Sequence, residues 1–317
     1  MRLAILDDYQ HAALAMADWD SLRPDLLLQA FHDTPANEDA IAARLRDFEI
    51  VVAMRERTPF PRSLLERLPK LKLLVTTGMR NSSIDTKTAA ERGIVVCGTR
   101  SLPYPAAELT WGLILAAARG IAREDANMRQ GGWQTTVGIG LRGKTLGILG
   151  LGKLGAQVAA VGKAFQMEVI AWSQNLSAER AHALGVRLSE KRDLFRCADF
   201  ITIHLLLSQR TRGLVGSEEF AEMKPAAWLI NTSRGPIVDE RALVAALESR
   251  RIAGAALDVY DQEPLPADHP LRRLENVVLT PHLGYVTVEN YREFYGQAME
   301  DVRAFLAGNP IRIIPAA

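Results

Sequence analysis

Three apolar runs in the 317-residue chain each end in a residue able to do polar chemistry. They are Arg234 after "AAWLINTS", Glu263 in "ALDVYDQEP" and His282 in "NVVLTPH". A histidine titrates near neutrality. A carboxylate beside it would orient the ring and raise its pKa, making it an acid/base for an alcohol–ketone pair. An arginine can grip a carboxylate with two parallel hydrogen bonds and polarise an adjacent carbonyl. Singly, each has a duller use. Arg234 could pair with Asp239, Glu263 could cap the turn before Pro264, and His282 could be a satisfied loop histidine, the reading preferred for His11, His32, His182 and His269. The conjunction points to chemistry, because a dinucleotide cradle lies upstream of all three.

That cradle is "TLGILGLGKLGAQVAAVGKAF", with Gly150, Gly152 and Gly155 in the G-x-G-x-x-G spacing. It follows an apolar strand and opens an amphipathic helix, the context that gives the motif meaning. Gly150 permits the tight turn, Gly152 lets a pyrophosphate approach the backbone, and Gly155 lets helix and strand pack closely. The helix N-terminus offers unpaired N–H donors, and Lys153 and Leu154 stand at its start. The next strand should end in an acid if the ribose carries a free 2′-hydroxyl. It ends in "AWSQN", so Ser173 occupies that position; Ser173, Gln174 and Asn175 could donate to a phosphate, and Arg180 could reach one. The expected cofactor is therefore NAD or NADP, with neither favoured.

Strands must carry these residues. "LAIL", "LLLQAF", "EIVVAM", "LKLLVTT" and "GIVVCG" alternate with helix-like stretches through the first hundred residues. A long helix is predicted over roughly 105–130, ended by Gly131-Gly132. A second series follows: "KTLGILG", a helix over 152–165, "MEVIAWS", "DFITIHLLL", "AAWLIN", a helix over 238–249, "IAGAALDVY" and "NVVLTPH". A helix over 287–307 and a closing strand "IRII" are expected to fold back onto the first half. Strand–helix alternation implies parallel sheets covered on both faces. The fold class is α/β, with two Rossmann-like domains: a flavodoxin-like substrate domain from 1–100 plus 287–317, and a dinucleotide-binding Rossmann domain over 101–286.

Bulk properties exclude other classes. A net charge of +1 leaves no broad footprint for nucleic acid or anionic lipid. The opening "MRLAILDDYQ" turns polar after six residues, so neither a signal peptide nor a membrane span is expected, and the cytoplasm is the default location. Cys97 and Cys197 have no disulfide or metal-finger spacing; both are expected to be buried thiols, and no metal is expected.

"GILGLGKLG", "NTSRGPIVDE", "ALDVYDQEPLP", "DHPL" and "NVVLTPHLG", with "LKLLVTTG" and "PAAELTWGLILAAAR" in the first half, resemble the D-isomer-specific 2-hydroxyacid dehydrogenase family over nearly the whole chain. The resemblance implies that His282 donates a proton to the C2 oxygen during reduction, Glu263 holds its ring, and Arg234 binds the 2-oxo acid. It places Asp258 at the nicotinamide carboxamide and lines the cofactor site with His204, Leu205, Thr211, Thr232, Ser233, Arg234, His282 and Gly284. It also implies a homodimer embraced by the segment around 120–140.

The sequence departs from the family at the substrate loop. Two glycines usually offer backbone N–H groups to the substrate carboxylate there; this chain reads "TTGMRNSSID", keeping Gly78 but placing Arg80 at the second position. Arg55, Thr77, Gly78, Met79 and Arg80, with Arg234 and His282, form the expected substrate set. Arg80 and Arg55 would extend the anion site, although Arg80 as a solvated loop residue fits equally well. "HLLLS" lacks a proline common after His204 and Leu205. The expected reaction is NAD(P)-dependent transfer between a D-2-hydroxy acid and its 2-oxo acid, of the glyoxylate or hydroxypyruvate reductase kind. Phosphoglycerate oxidation fits the scaffold, but no room remains for the extra regulatory domain that many such enzymes carry. Formate or phosphite oxidation shares the arginine, and a non-catalytic dinucleotide-sensing scaffold like the C-terminal-binding corepressors is the reading from another class.

Overall fold

The computed structural model describes residues 1–22 and 26–316. It divides into two compact units, Met1–Leu102 with Val286–Ala317, and Pro103–Tyr285. Each is built on one parallel sheet.

In the first unit, β1 (Arg2–Ile5), β2 (Leu27–Ala30), β3 (Ile50–Ala53), β4 (Leu73–Thr76) and β5 (Val95–Gly98) stand in the order β2-β1-β3-β4-β5. Strands β3 and β4 are buried at every residue. A strand hidden on both faces needs apolar residues throughout rather than in alternation, which is why "IVVA" and "LLVT" read as continuous runs. Helices α1 (Glu38–Leu45), α2 (Arg62–Leu65) and α3 (Thr86–Glu91) join the core of Ala4, Leu6, Val51, Leu74 and Val96.

The second unit opens with α4 (Pro105–Arg119) and α5 (Ile121–Arg129). The single helix expected over 105–130 is in fact two. Gly120 adopts a left-handed φ of 61° and caps α4 with its N–H on the Ala116 carbonyl. A glycine enters that region without steric cost, so it ends the helix there. The sheet comprises β6 (Thr145–Leu149), β7 (Glu168–Trp172), β8 (Arg187–Leu188), β9 (Phe200–Ile203), β10 (Trp228–Asn231), β11 (Gly254–Leu257) and β12 (Val277–Leu279), ordered β12-β11-β10-β9-β6-β7-β8 and parallel throughout. Helices α6 (Lys153–Ala164), α7 (Ala178–Ala183), α8 (Lys191–Cys197), α9 (Ser217–Glu222) and α10 (Glu240–Glu248) connect the strands. Alternate strand residues serve opposite faces. Leu146 and Ile148 pack with Trp111, Ile114 and Val158. Leu149, Ile203, Leu229 and Leu257 pack with Phe195, Phe220 and Leu243.

The chain then returns to the first unit through α11 (Val288–Leu306), capped by the Thr287 hydroxyl and packed on β4 and β5. Two expectations need correction. "IRII" forms no strand of its own; it makes an isolated antiparallel bridge, Cys97 with Ile313, because the left-handed Arg312 (φ 50°) interrupts extended backbone. Cys97 is buried but Cys197 is exposed, since it falls in the solvent-facing last turn of α8. No helix among the described residues is long and apolar enough to cross a membrane.

Candidate active site

The strand order reverses at β6, with β9 on one side and β7 on the other. Ligands of open α/β sheets bind outside the carboxyl ends of strands at such a switch point. The glycine loop leaves β6 there, and its three glycines differ in why they are glycine. A Cβ on Gly155 would lie 2.1 Å from the Gly150 carbonyl oxygen, and one on Gly150 (φ 100°) 2.5 Å from that of His204. Both are required by packing. Gly152, the extended N-cap of α6, has nothing within 4 Å of its Cβ position. Neither the fold nor the dihedral demands glycine there, so the open space fits a group arriving from outside. The residues therefore fit a dinucleotide pyrophosphate. Gly155→Ala should disrupt the turn and lower stability by several kcal/mol, about the size of other severe clashes. Gly152→Ala should instead melt like the parent while losing about tenfold or more in dinucleotide affinity. Calorimetric melting beside an NADH fluorescence titration checks both.

Around this loop stand the other expected cofactor residues. Lys153 is exposed and Leu154 partly buried on the first turn of α6. Ser173 is partly buried and Gln174 exposed beyond β7, while Arg180 Nε donates to the Leu151 carbonyl at 3.4 Å. His204 follows β9, with Nε2 3.0 Å from the Thr202 hydroxyl, and burial pulls its pKa down to about 4, so the ring is neutral at pH 7. Leu205 is partly buried beside it. Thr211 lies in the following loop, its hydroxyl donating to the Leu206 carbonyl at 2.6 Å.

The polar strand ends of β10, β11 and β12 interlock. Asn231 shapes the Arg234 turn: its Oδ1 accepts from the Ser233 N–H and its Nδ2 donates to the Arg234 carbonyl, both at 3.0 Å. Arg234 Nη1 donates to the Ser233 carbonyl at 2.8 Å. Asp239 is the N-cap of α10, accepting from the Ala242 N–H. The Thr232 hydroxyl meets that of Thr110 on α4 at 2.8 Å. Gly235 then presses on the β11 loop: a Cβ there would lie 2.1 Å from the Tyr260 carbonyl. The Tyr260 N–H donates to Glu263 Oε1 at 3.0 Å, and Glu263 Oε2 lies 2.5 Å from His282 Nδ1. Glu263 thus caps the turn and holds the histidine at once. A carboxylate oxygen only accepts, so Nδ1 carries the proton and Nε2 is left for chemistry.

His282 adopts a left-handed φ of 55°, uncommon for a residue with a side chain. Asp258 holds that geometry. It is fully buried, with Oδ1 accepting from the Thr280 hydroxyl (2.6 Å) and the Leu283 N–H (2.7 Å), and Oδ2 from the Gly284 N–H (2.8 Å). Burial pushes its carboxyl up from the usual range, and the donors, with the nearby His282, pull it back. The expected carboxamide partner is therefore also the clamp of the His282 loop. Sequence reasoning missed Asn231, Tyr260, Thr280 and Thr110; polar residues at the ends of the apolar runs were the available signal for the first three, and Thr110, inside α4, left none.

In the first unit the structure joins Arg55, Thr77 and Gly78. The Thr77 hydroxyl accepts from the Arg55 N–H at 3.0 Å and contacts Met54 Sδ at 3.2 Å. It is buried and committed inward, which argues against direct substrate contact. The Arg55 guanidinium covers Gly78, where a Cβ would meet Nη1 at 2.4 Å. The Gly78 N–H donates to the Thr99 hydroxyl at 3.0 Å, so it is already engaged rather than waiting for a carboxylate. Met79 and Arg80 are exposed.

Residues 111–284 match the model for the D-isomer specific 2-hydroxyacid dehydrogenase, NAD binding domain. A glyoxylate reductase of Aeropyrum pernix is 42% identical over 255 residues, covering 77% of this chain and 76% of that protein. A D-3-phosphoglycerate dehydrogenase of Methanocaldococcus jannaschii is 38% identical over 279 residues, covering 87% of this chain and 53% of that protein. The chain thus spans about half the length of this relative, and likewise of the D-3-phosphoglycerate dehydrogenases of Archaeoglobus fulgidus and Synechocystis. The crystal structure of a phosphoglycerate oxidoreductase from Vibrio cholerae superposes with a TM-score of 0.92 at 37% identity, covering 97% of this chain and 99% of that one. This chain belongs to the D-isomer specific 2-hydroxyacid dehydrogenase family.

Proposed function

We propose that the protein is an NAD(P)-dependent oxidoreductase interconverting a D-2-hydroxy acid and its 2-oxo acid, with glyoxylate and hydroxypyruvate the first substrates to test. The observation that carries this reading is the His282–Glu263 pair at 2.5 Å, tied to the Arg234 turn through Gly235 and Tyr260. Glyoxylate reductases among the relatives support the substrate class. A bound nicotinamide dinucleotide would supply or accept the hydride. Gly150, Gly152 and Gly155 with the α6 N-terminus would hold its pyrophosphate, Ser173 and Gln174 its ribose, and Thr232, Ser233 and Gly284 its nicotinamide end.

His282 Nε2 gives a proton to the C2 oxygen in reduction and takes one from the hydroxyl in oxidation. Glu263 keeps the proton on Nδ1 and stabilises the imidazolium that forms in the oxidation direction. Arg234 binds the carboxylate and polarises the C2 carbonyl. The absence of an acid at Ser173, together with the Arg180 guanidinium beside Leu151, supports acceptance of both NADH and NADPH. Exposed Trp133 and Val137, 71% and 99% accessible, support a homodimer through the segment around 120–140.

The test is NAD(P)H oxidation by purified protein against glyoxylate, hydroxypyruvate and bulkier 2-oxo acids, with 3-phosphoglycerate in the reverse direction. Failure to turn over any of them sinks the reading. Arg80→Ala addresses the far end of the substrate. If Arg80 meets a second anionic or polar group, its loss should raise KM roughly tenfold for acids that carry one and leave glyoxylate unchanged, since a hydrogen bond to a charged group contributes about 1.5–3 kcal/mol. Equal kinetics for every acid would make Arg80 a solvated loop residue.

A further inference from the structure

The substrate loop of the first unit is braced from a direction that the chemistry above does not explain. β5 pairs with β4 along one edge. Its other edge is covered by the segment after α11: the Gly98 N–H donates to the Arg312 carbonyl at 3.0 Å, and the Ile314 N–H to the Val96 carbonyl at 2.8 Å. This segment closes on Gly98 beside the loop. A Cβ on Gly98 would meet the Gly78 carbonyl oxygen at 2.7 Å, Ile314 Cδ1 at 3.0 Å and Met79 Cα at 3.1 Å. The loop and the covering segment therefore meet over one residue that has no side chain.

Arg312 fixes the segment in place. Its backbone is left-handed, and its guanidinium spends three donors on α11: Nε to Asp301 Oδ1 (2.9 Å), Nη1 to Glu300 Oε2 (2.9 Å) and Nη2 to the Gln297 carbonyl (2.7 Å). Asp301 is wholly buried, and its other oxygen has no hydrogen-bond partner among the described residues. Burial pushes its carboxyl up, to about 7, against the pull of Arg312. A buried carboxylate left with one partner makes that partner hard to release. The same helix reaches the loop by a second route. Gln297 Oε1 accepts from the Arg100 N–H at 2.8 Å, next to Thr99, whose hydroxyl holds the Gly78 N–H.

We propose that residues 311–314 form a strap that sets the 77–80 loop, with Arg312 its positioning residue. This rests on the reading that the loop takes part in substrate binding. Edge segments held only by backbone pairing fray readily, and an error of about 1 Å in a binding group can cost roughly a hundredfold in rate. An arginine locked into the α11 surface prevents the fraying, and the contacts at Gly98 pass the constraint to Gly78 and Met79.

The experiment compares Arg312→Met with the unaltered full chain, saturated with NADH, by hydrogen exchange and by steady-state kinetics with glyoxylate and hydroxypyruvate. Exchange over 76–81 and 95–99 should accelerate at least tenfold, while peptides from 145–164 stay unchanged. KM for hydroxypyruvate should rise about tenfold with kcat within twofold to threefold, while the KM for glyoxylate and the NADH Kd stay unaltered. Arg312→Lys, which can still meet Asp301 but not three acceptors, should fall between. Unchanged exchange over 76–81 overturns the strap, and so does faster exchange with unchanged KM for hydroxypyruvate; a merely structural arginine would lower the melting temperature alone. Should Arg312→Met fail to fold, Ile314→Ala keeps the ion pair and is judged by the same two readouts. Absence of turnover in the unaltered protein would strike the proposed function, while the exchange comparison, which needs no substrate, still decides whether the strap sets the loop.

Discussion

Exchanging His282 for asparagine should lower kcat for 2-oxo acid reduction by about a thousandfold, within the range of 10²–10⁴ that positioned acid–base groups contribute. The NADH Kd and melting temperature should stay close to those of the parent. Asparagine is chosen for the backbone. At φ 55° the residue is left-handed, where asparagine is enriched and alanine costs about 1–2 kcal/mol. Asparagine also offers Glu263 an N–H, so the Glu263–Tyr260 contact at 3.0 Å need not rearrange. His282→Ala should lose the same activity but melt earlier. Stopped-flow reduction of glyoxylate beside calorimetry separates the two effects. Full activity in either variant would remove His282 from the mechanism.

Arg234→Lys should be the second most damaging change, lowering kcat/KM by about 10²–10³, the cost of losing one preorganised donor to a developing oxyanion. Charge survives, but the planar fork does not. Lysine is a single point and cannot grip a carboxylate bidentately while addressing the neighbouring carbonyl. The turn itself should persist, because Asn231 shapes it through two main-chain bonds of 3.0 Å and Gly235 seats it against Tyr260. Kinetics over a range of glyoxylate concentrations should therefore show a raised KM and a reduced kcat with an unaltered NADH titration. A lysine variant within threefold of the parent would refute bidentate recognition.

The sequence revealed strand ends better than it revealed what links them. The runs before Arg234, Glu263 and His282 are apolar because their strands are covered on both faces, and that burial left a readable pattern. The Gly235–Tyr260 contact left none, since it depends on two loops meeting, and neither loop has a period. Gly120 was invisible for a similar reason: one glycine in an apolar helical stretch looks tolerable until its φ is known. Gly78 shows the opposite limit. Its place in the loop was legible, but the engagement of its N–H by Thr99 depends on β5 lying beside β4. Asp258 was placed by its motif, while its clamp on the 280–284 segment emerged only from three donor distances.

The left-handed histidine has a consequence for how this protein would lose its chemistry. Few amino acids sit comfortably at that φ, and asparagine is among them. In the genetic code, histidine and asparagine codons differ by a single base. One single-base path away from catalysis thus preserves the backbone, the clamp by Asp258 and the cradle at Gly152. Descendants that took it would remain folded reporters of dinucleotide level, inert but still able to bind.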